Sequence, residues 1–278
     1  MKQAIFLVTS LAGLKKLTFK QKVKSLMNDQ IQVTILLAMI QFDDYEIARR
    51  LVQSIFKAKR LAQLNVVSLA DLVADEAGVD VAESEQFKAD FEDLPLHRFE
   101  ATKALERPTV RYVKDGEIVA EVKEDGNQQP LLKMRYADHQ PISAAVYEAG
   151  NQFGLLTYRD GKLAQALLLN QQGQVVYRFI RHARTVNFAY TMGRTSKLKF
   201  TELISEEDDE HRVIYRDSEE QSSYEVVGYQ NYDRFDSVYS FYANLLEKIV
   251  PADSGLFIDL NDNPELTPYL PQQLIFNY

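Results

Sequence analysis

The sequence predicts an α/β protein with an all-β insertion, in which a Rossmann-like parallel sheet is interrupted by an antiparallel β-meander. In the first 94 residues, apolar runs suited to strands alternate with amphipathic helices. Between residues 109 and 179, turn-forming dipeptides recur every ten to thirteen residues. After residue 235 the strand and helix alternation returns. We therefore predict a Rossmann-like domain from residues 1–94 and 235–278, with a β-meander domain at 95–234.

The first part of the chain reads as a βαβαβ unit. An apolar run at 3–9 is followed by Ser10-Leu11-Ala12-Gly13 and then by a Lys-rich segment with apolar residues at helical spacing. A second β-branched run at 31–39 precedes Asp43 and Asp44, which predict the N-cap of a helix extending to about residue 63. A third short strand at 66–69 and a helical turn at 70–77 complete the unit, so its sheet is expected to be parallel.

The middle of the chain reads as a run of short strands. Residues 75–93 are acidic and aperiodic, which predicts a linker or an exposed helix. From residue 109 apolar and polar residues tend to alternate, as in strands with one buried and one wet face. We expect six or seven such strands, with further strand candidates up to residue 229. The turn dipeptides that separate them are Asp115-Gly116, Asp125-Gly126, Asp138-His139, Gly150-Asn151, Asp160-Gly161 and Gln172-Gly173.

The last part of the chain returns to the α/β pattern. A helix is predicted at 236–249, capped by Asp236 and stopped by Pro251. A short buried strand at 256–258, a Pro-rich loop at 261–268 and a last strand at 273–276 follow. The β region is therefore predicted to be inserted into the α/β domain and not appended to it.

Composition narrows the function classes. The chain has 278 residues, 46% of them hydrophobic, and no cysteine, which excludes disulfides, thiolate metal sites and a cysteine nucleophile. A net charge of −8 argues against a chain-wide attraction to nucleic acid. The N-terminal apolar run is too short to span a bilayer, so we expect a cytoplasmic protein with no integral membrane segment.

Candidate site residues come from two places in the chain. Gly13, at the turn after the first strand, lets backbone amides face a phosphate, with Lys15 and Lys16 as nearby cations. The competing interpretations are an ordinary strand-to-helix turn and solvated helix charges. Asp259 and Asp262 follow a strand at the carboxyl edge where α/β sheets hold ligands, against the competing role of capping the loop around Pro264. The four histidines are scattered, so no metal site is predicted, and no catalytic motif is present.

Several local phrases carry a family resemblance. They are the Ser10-Leu11-Ala12-Gly13 turn with its Lys-rich helix, and the segments QGQVVY at 172–177, FYANLL at 241–246 and LFID at 256–259. With the order of elements, they resemble the N-terminal half of a bacterial family 4 glycosyltransferase group. That group includes the glycosyltransferases of wall teichoic acid and the enzyme that starts glycosylation of serine-rich adhesins.

The resemblance implies a GT-B fold whose first Rossmann-like domain is interrupted by an extended β domain for acceptor binding and oligomerisation. It implies retaining transfer of a hexose or N-acetylhexosamine from a nucleotide sugar, which is the donor substrate of the full enzyme, with no resident cofactor. The expected partners are a polymer or protein acceptor and either a second copy of the chain or a partner glycosyltransferase subunit. Gly13, Lys15, Lys16, Asp259 and Asp262 are the candidate substrate-binding residues.

Two departures from that family pattern matter. The family usually has a richer glycine turn after the first strand, whereas this chain has only Gly13. The nucleotide-sugar-binding half of the family lies beyond residue 278, so the resemblance assigns no catalytic residue and leaves enzyme activity of this chain open. Two alternatives remain: a non-catalytic partner subunit of a glycosyltransferase complex, and a β-repeat binding module unrelated to sugars.

Overall fold

The computed structural model describes residues 2–56, 64–101, 106–191, 197–200, 213–251, 253–270 and 275–278. It contains a parallel sheet and a larger antiparallel sheet. The predicted fold class is therefore confirmed.

The parallel sheet has five strands in the order β16-β15-β1-β2-β3. Its strands are buried along almost their whole length in the centre of the sheet, because helices and the second sheet cover both faces. In the register, Ala4 of β1 lies between Val33 of β2 and Gly255 of β15. The strand bounds are β1 Gln3–Val8, β2 Gln32–Leu37, β3 Leu64–Ser68, β15 Gly255–Ile258 and β16 Ile275–Asn277.

The strand order reverses at β1. From β1 the chain proceeds to β2 and β3 on one side, and after the insertion it returns to β15 and β16 on the other side. The carboxyl ends of β1 and β15 therefore lie side by side at a topological switch point, which is where open α/β sheets form a ligand-binding crevice.

The helices are short and follow the strands. Ser10 caps the first helix, since its side chain accepts a hydrogen bond from the backbone N–H of Gly13. Ser237, and not the predicted Asp236, caps the helix after the insertion by accepting from the N–H of Tyr239. The helix bounds are α1 Leu11–Lys15, α2 Leu17–Asn28, α3 Tyr45–Ile55, α4 Leu69–Val73, α5 Val238–Ile249 and α6 Asn263–Leu266.

Two of the predicted elements form differently from the prediction, and a third lies partly outside the described residues. The predicted helix at 43–63 begins with a 3₁₀ turn, Phe42–Asp44, and is described only to residue 56. The predicted Pro-rich loop contains α6. Pro264 is compatible with this helix, because it lies in the first turn, where a backbone N–H has no partner within the helix. Residues 273 and 274 of the predicted last strand lie outside the described residues.

Seven strands, β5 to β11, begin within residues 109–179, in agreement with the six or seven expected there, and four further strands extend the antiparallel sheet. Within the described residues it has 11 strands. Gly116, Gly150, Gly161 and Gly173 take left-handed φ values of 69° to 85°, as the predicted tight turns require. The strand bounds are β4 Leu96–Phe99, β5 Thr109–Lys114, β6 Glu117–Glu124, β7 Pro130–Ala137, β8 Gln140–Glu148, β9 Asn151–Arg159, β10 Lys162–Leu169, β11 Val175–Thr191, β12 Lys197–Phe200, β13 Val213–Gly228 and β14 Arg234–Phe235.

One hydrophobic core joins the two sheets. Phe42 lies after β2 and is fully buried against Phe153 of β9 and Phe179 of β11, with ring centroids 6.0 Å apart in both pairs. Phe179 in turn contacts Phe241 of α5 at 5.4 Å. These rings pack the insertion onto the α/β layer, while the exact domain limits at residues 94 and 235 stay a prediction.

The acidic stretch at 75–93 is ordered and covers the second face of the antiparallel sheet. The backbone of Val79 exchanges hydrogen bonds with that of Val175, at 3.0 and 2.7 Å. Phe91 is buried in a small cluster with residues of β5 and β6. The prediction of a linker or exposed helix is therefore corrected. Its few apolar residues pack on a sheet face formed by strands that are distant in the chain. Their spacing therefore shows no helical or strand periodicity. We call residues 75–93 the strap.

Candidate functional site

Four of the five predicted site residues meet at the carboxyl edge of the parallel sheet, at the switch point between β1 and β15. Gly13 and Lys16 come from the segment after β1, and Asp259 and Asp262 come from the segment after β15. Lys15 is exposed on α1, and its charge acts on Asp44. The four converging residues are called the edge site.

Asp259 is buried and held in one orientation. Its Oδ1 accepts hydrogen bonds from Nζ of Lys16 at 2.5 Å and from the backbone N–H of Asn261 at 2.8 Å. A Cβ atom added to Gly13 would lie 3.1 Å from Oδ2 of Asp259. A side chain at residue 13 would therefore crowd this carboxylate, which would have to shift by a few tenths of an ångström.

Asp262 is half-buried and reaches back to the first strand. It accepts a short hydrogen bond from the hydroxyl of Thr9 and a second one of 3.2 Å from the hydroxyl of Tyr239. Its side chain makes no capping bond to α6, although it occupies the N-cap position. Burial raises the pKa of Asp262, and the two hydroxyl donors oppose that shift.

The floor of the edge site is aromatic. The hydroxyl of Tyr278 donates to the carbonyl of Leu7 at 2.8 Å, and a Cβ on Gly13 would lie 3.5 Å from that same hydroxyl. The ring of Tyr278 packs against Phe6 and Phe19. Thr9, Tyr239 and Tyr278 escaped sequence reasoning, because their hydroxyls bond to groups 253, 23 and 271 residues away in the chain, which leaves no local signal.

The charges of the edge site favour hydroxyl groups over a phosphate. One lysine stands beside two carboxylates, and Lys16 is already paired with Asp259. The backbone N–H of Gly13, in the first turn of α1, already donates a hydrogen bond to the side-chain oxygen of Ser10. A phosphate would meet net negative charge here, whereas carboxylate oxygens accept hydrogen bonds from sugar or polyol hydroxyls.

A second pair of carboxyl groups lies near this edge, after β2. Burial raises the pKa of Asp43, and burial together with the charge of Asp43 raises the pKa of Asp44 to about 6. Lys15 of α1 and Lys123 of β6 oppose the shift at Asp44. The sequence analysis assigned both aspartates to helix capping, yet the Asp44 side chain makes no capping bond.

Replacing Asp44 by asparagine is expected to stabilise the protein at pH 8. The pKa of Asp44 is about 6 in the folded protein and 3.8 ordinarily. The ionised carboxylate therefore destabilises the fold fully above pH 6, and this cost disappears as the pH falls to 3.8. We expect a gain of about 1 kcal/mol at pH 8, after allowing for solvent screening of a half-buried group. Urea unfolding from pH 4 to 8 measures it. The gain should vanish near pH 4; a gain that grows in acid would contradict the assignment.

Metal binding has no support in the described residues. No group of three or more His, Cys, Asp or Glu side chains converges there as potential ligands. His211 lies outside the described residues. Within the same ranges, no helix has both the length and the apolar character required to cross a bilayer.

Comparison with solved structures supports the fold. A crystal structure of TarM matches 100% of this chain and 49% of its own chain, with a TM-score of 0.50 at 11% identity. Accessory secretory protein 1, 2 and 3 in Streptococcus pneumoniae matches 99% of this chain and 51% of its own, with a TM-score of 0.50 at 11% identity. The pneumococcal O-GlcNAc transferase GtfA in complex with UDP and GlcNAc gives 0.47 at 9% identity, over 99% and 47%.

The chain spans about half the length of these structures. No protein-family model and no curated protein matches the sequence. At 11% identity, the matches to TarM and to the accessory secretory protein show a shared fold alone.

Proposed function

We propose that this chain is the acceptor-binding part of a glycosyltransferase that transfers a sugar from a nucleotide sugar to a cell-envelope polymer or adhesin. The observation that carries the proposal is the pair Asp259 and Asp262 at the switch point of a parallel sheet interrupted by a long antiparallel insertion. The family resemblance of the local sequence phrases and the fold shared with TarM both support it. By that resemblance the transfer is retaining, the sugar is a hexose or N-acetylhexosamine, and the protein is cytoplasmic.

In this proposal the edge site binds acceptor hydroxyls. Lys16 and Asn261 orient Asp259, and Thr9 and Tyr239 orient Asp262, so the carboxylates are positioned before the acceptor arrives. Donor binding is assigned to the part of the family architecture that this chain does not span. Residues 1–94 and 235–278 would form the Rossmann-like domain, and residues 95–234 would form the β domain that contributes to acceptor binding and self-association.

Replacing Asp262 by asparagine is expected to weaken acceptor binding about tenfold, because the amide keeps the size of the side chain but loses the charge that strengthens each hydrogen bond from a hydroxyl. The measurement is calorimetric titration of the chain with glycerol-phosphate oligomers and, separately, with a serine-rich peptide. Lys22→Ala, which removes an exposed cation on α2, is the control and should bind like the unmodified chain. Equal affinity of Asp262→Asn and the unmodified chain for whichever acceptor binds would contradict the proposal.

A non-catalytic partner subunit is the second candidate, favoured by the edge strand β4. In the described residues β4 pairs only with β5, and its side chains Leu96 and Phe99 are 51% and 47% exposed. Such an edge suits strand addition by another chain. The same titrations separate the candidates, since a subunit that only recruits a transferase has no acceptor affinity to lose at Asp262. The third alternative, a β-repeat module unrelated to sugars, would gain weight if the first 75 residues lacked a parallel sheet, but β1, β2 and β3 form one.

A further inference from the structure

A cavity of about 200 Å³ lies between α3 and the antiparallel sheet, separate from the edge site. Its lining includes none of the four edge-site residues. One wall is the exposed side of α3, and the other wall is formed by β6, β7, β8 and β9. The volume is below the range of about 300–1,000 Å³ that is typical of drug-sized ligands, so it accommodates a single small ring.

The inner part of this interlayer cavity is apolar and partly aromatic. Leu132, Val146 and Phe153 are buried there, with exposed fractions of 4% to 8%. Tyr147 of β8 also borders the cavity, but its ring packs on the other face of the sheet, in the cluster under the strap. Such a surface contacts the C–H face of a ring and excludes water from it.

The charged groups around this interior neutralise one another. The lining has four cationic side chains and three acidic ones. Arg49 pairs with Glu148 at 2.7 Å, and Arg107 pairs with Glu46 at 2.5 Å. The paired groups leave little net field for an anion or a cation, while their oxygens and N–H groups can still exchange hydrogen bonds with a neutral ligand.

Two polar groups of the lining are not satisfied by protein partners in the described residues. Oδ1 of Asp43 is buried and makes no hydrogen bond of full geometry; the hydroxyl of Tyr158, which lies outside the lining and also lacks one, acts on this carboxyl. Lys123 makes no ion pair with a described residue, and its charge faces Asp43 and Asp44. Buried polar atoms normally have partners, so Oδ1 of Asp43 favours an occupant with a hydroxyl donor, and the half-buried Lys123 is a further donor in the lining.

We propose that the interlayer cavity is a second binding site, for an uncharged monosaccharide or cyclic polyol. The apolar interior contacts the ring face, and the mutually neutralised rim with Asp43 and Lys123 binds the hydroxyls. The site lies where the insertion meets the α/β layer, so its occupant contacts both. The inference does not depend on the acceptor role proposed for the edge site.

The test uses saturation-transfer NMR on the whole chain with three probes of one ring size: methyl α-D-glucopyranoside, glucose 6-phosphate and glucosamine. The neutral glycoside is expected to bind, and the two charged sugars are expected to bind at least fivefold more weakly. Stronger binding of either charged sugar, or no signal from the neutral glycoside, would overturn the proposal.

Matched variants locate the signal. Gln53 is exposed on α3 and lines the cavity, so Gln53→Trp should fill the mouth and reduce the signal at least fivefold without unfolding the chain. Ser54→Trp, the exposed neighbour outside the lining, should keep it. Survival of the signal in Gln53→Trp, or its loss in Ser54→Trp, would place the sugar elsewhere and end the proposal.

Discussion

Phe42→Ala is expected to lower the free energy of unfolding by about 3–5 kcal/mol, the range for removing a fully buried phenylalanine. Phe42 is 0% exposed and contacts Tyr45, Phe153 and Phe179. Its removal leaves a cavity between the α/β layer and the antiparallel sheet that neither sheet can close alone. Equilibrium urea denaturation followed by far-UV circular dichroism measures the change.

The close approach of the two layers supplies an independent test of the same contact. A Cβ atom on Gly154 would lie 2.6 Å from Cδ2 of Phe42, so Gly154→Ala should cost about 1–3 kcal/mol by overpacking. Combining it with Phe42→Leu should cost less than the sum of the two. Gly126→Ala, where no atom lies within 4 Å of the new Cβ and φ is not left-handed, is the matched control. If the costs of Gly154→Ala and Phe42→Leu simply add, or if Phe42→Ala costs less than about 1 kcal/mol, the Phe42 ring does not form the contact between the two layers.

Arg178→Met is expected to cost about 2–3 kcal/mol and to release the strap. Arg178 donates to both carboxylate oxygens of Glu85, and also to Tyr229 at 2.7 Å and Gln165 at 3.1 Å. Breaking a fully buried ion pair costs about 3–5 kcal/mol. We expect a smaller cost here, because the side chains of Arg178 and Glu85 are 19% and 20% exposed. Urea unfolding gives the cost, and limited proteolysis within residues 75–93 reports the release.

The pH dependence of this pair has a defined sign. The hydrogen bond from Arg178 lowers the pKa of Glu85 below its ordinary value of 4.5, so the stabilisation is present above that pH and is lost as the pH falls through the lowered value. The exposed pair of His139 and Glu117 is the control, and Glu117→Gln should change stability by less than about 0.5 kcal/mol. Unchanged proteolysis of the strap in Arg178→Met would mean that its apolar contacts alone hold it.

Two sets of contacts hold the antiparallel sheet in place. Phe42 and its neighbours pack one face of the antiparallel sheet onto the α/β layer, and the strap covers the opposite face. On β9 and β10, Leu156 and Leu168 belong to the shared core, whereas Leu155 and Leu167 belong to the cluster under the strap. The alternation follows from the two-residue period of a strand, and it explains why this sheet is apolar on both faces.

Much of the fold follows from local patterns. The turn dipeptides with glycine at left-handed φ mark the ends of the antiparallel strands, because few other residues adopt that conformation cheaply. The apolar runs at β1, β2 and β15 predict buried strands. The strap was predicted wrongly, because its contacts with β10 and β11 are separated from it by some 80 to 100 residues and leave no periodic trace.

By itself, the sequence determined the fold class, the inserted antiparallel sheet and the carboxyl-edge position of Gly13, Lys16, Asp259 and Asp262, since strand and turn preferences act over a few residues. Only the tertiary structure decided that Asp259 pairs with Lys16, that Asp262 takes its donors from Thr9 and Tyr239, and that Asp43 and Lys123 face a cavity. Those contacts join strands and helices that are distant in the chain, and burial shifts the pKa values of the carboxyl groups. The contacts and the burial arise only when the chain has folded, so neighbouring residues in the sequence do not reveal them.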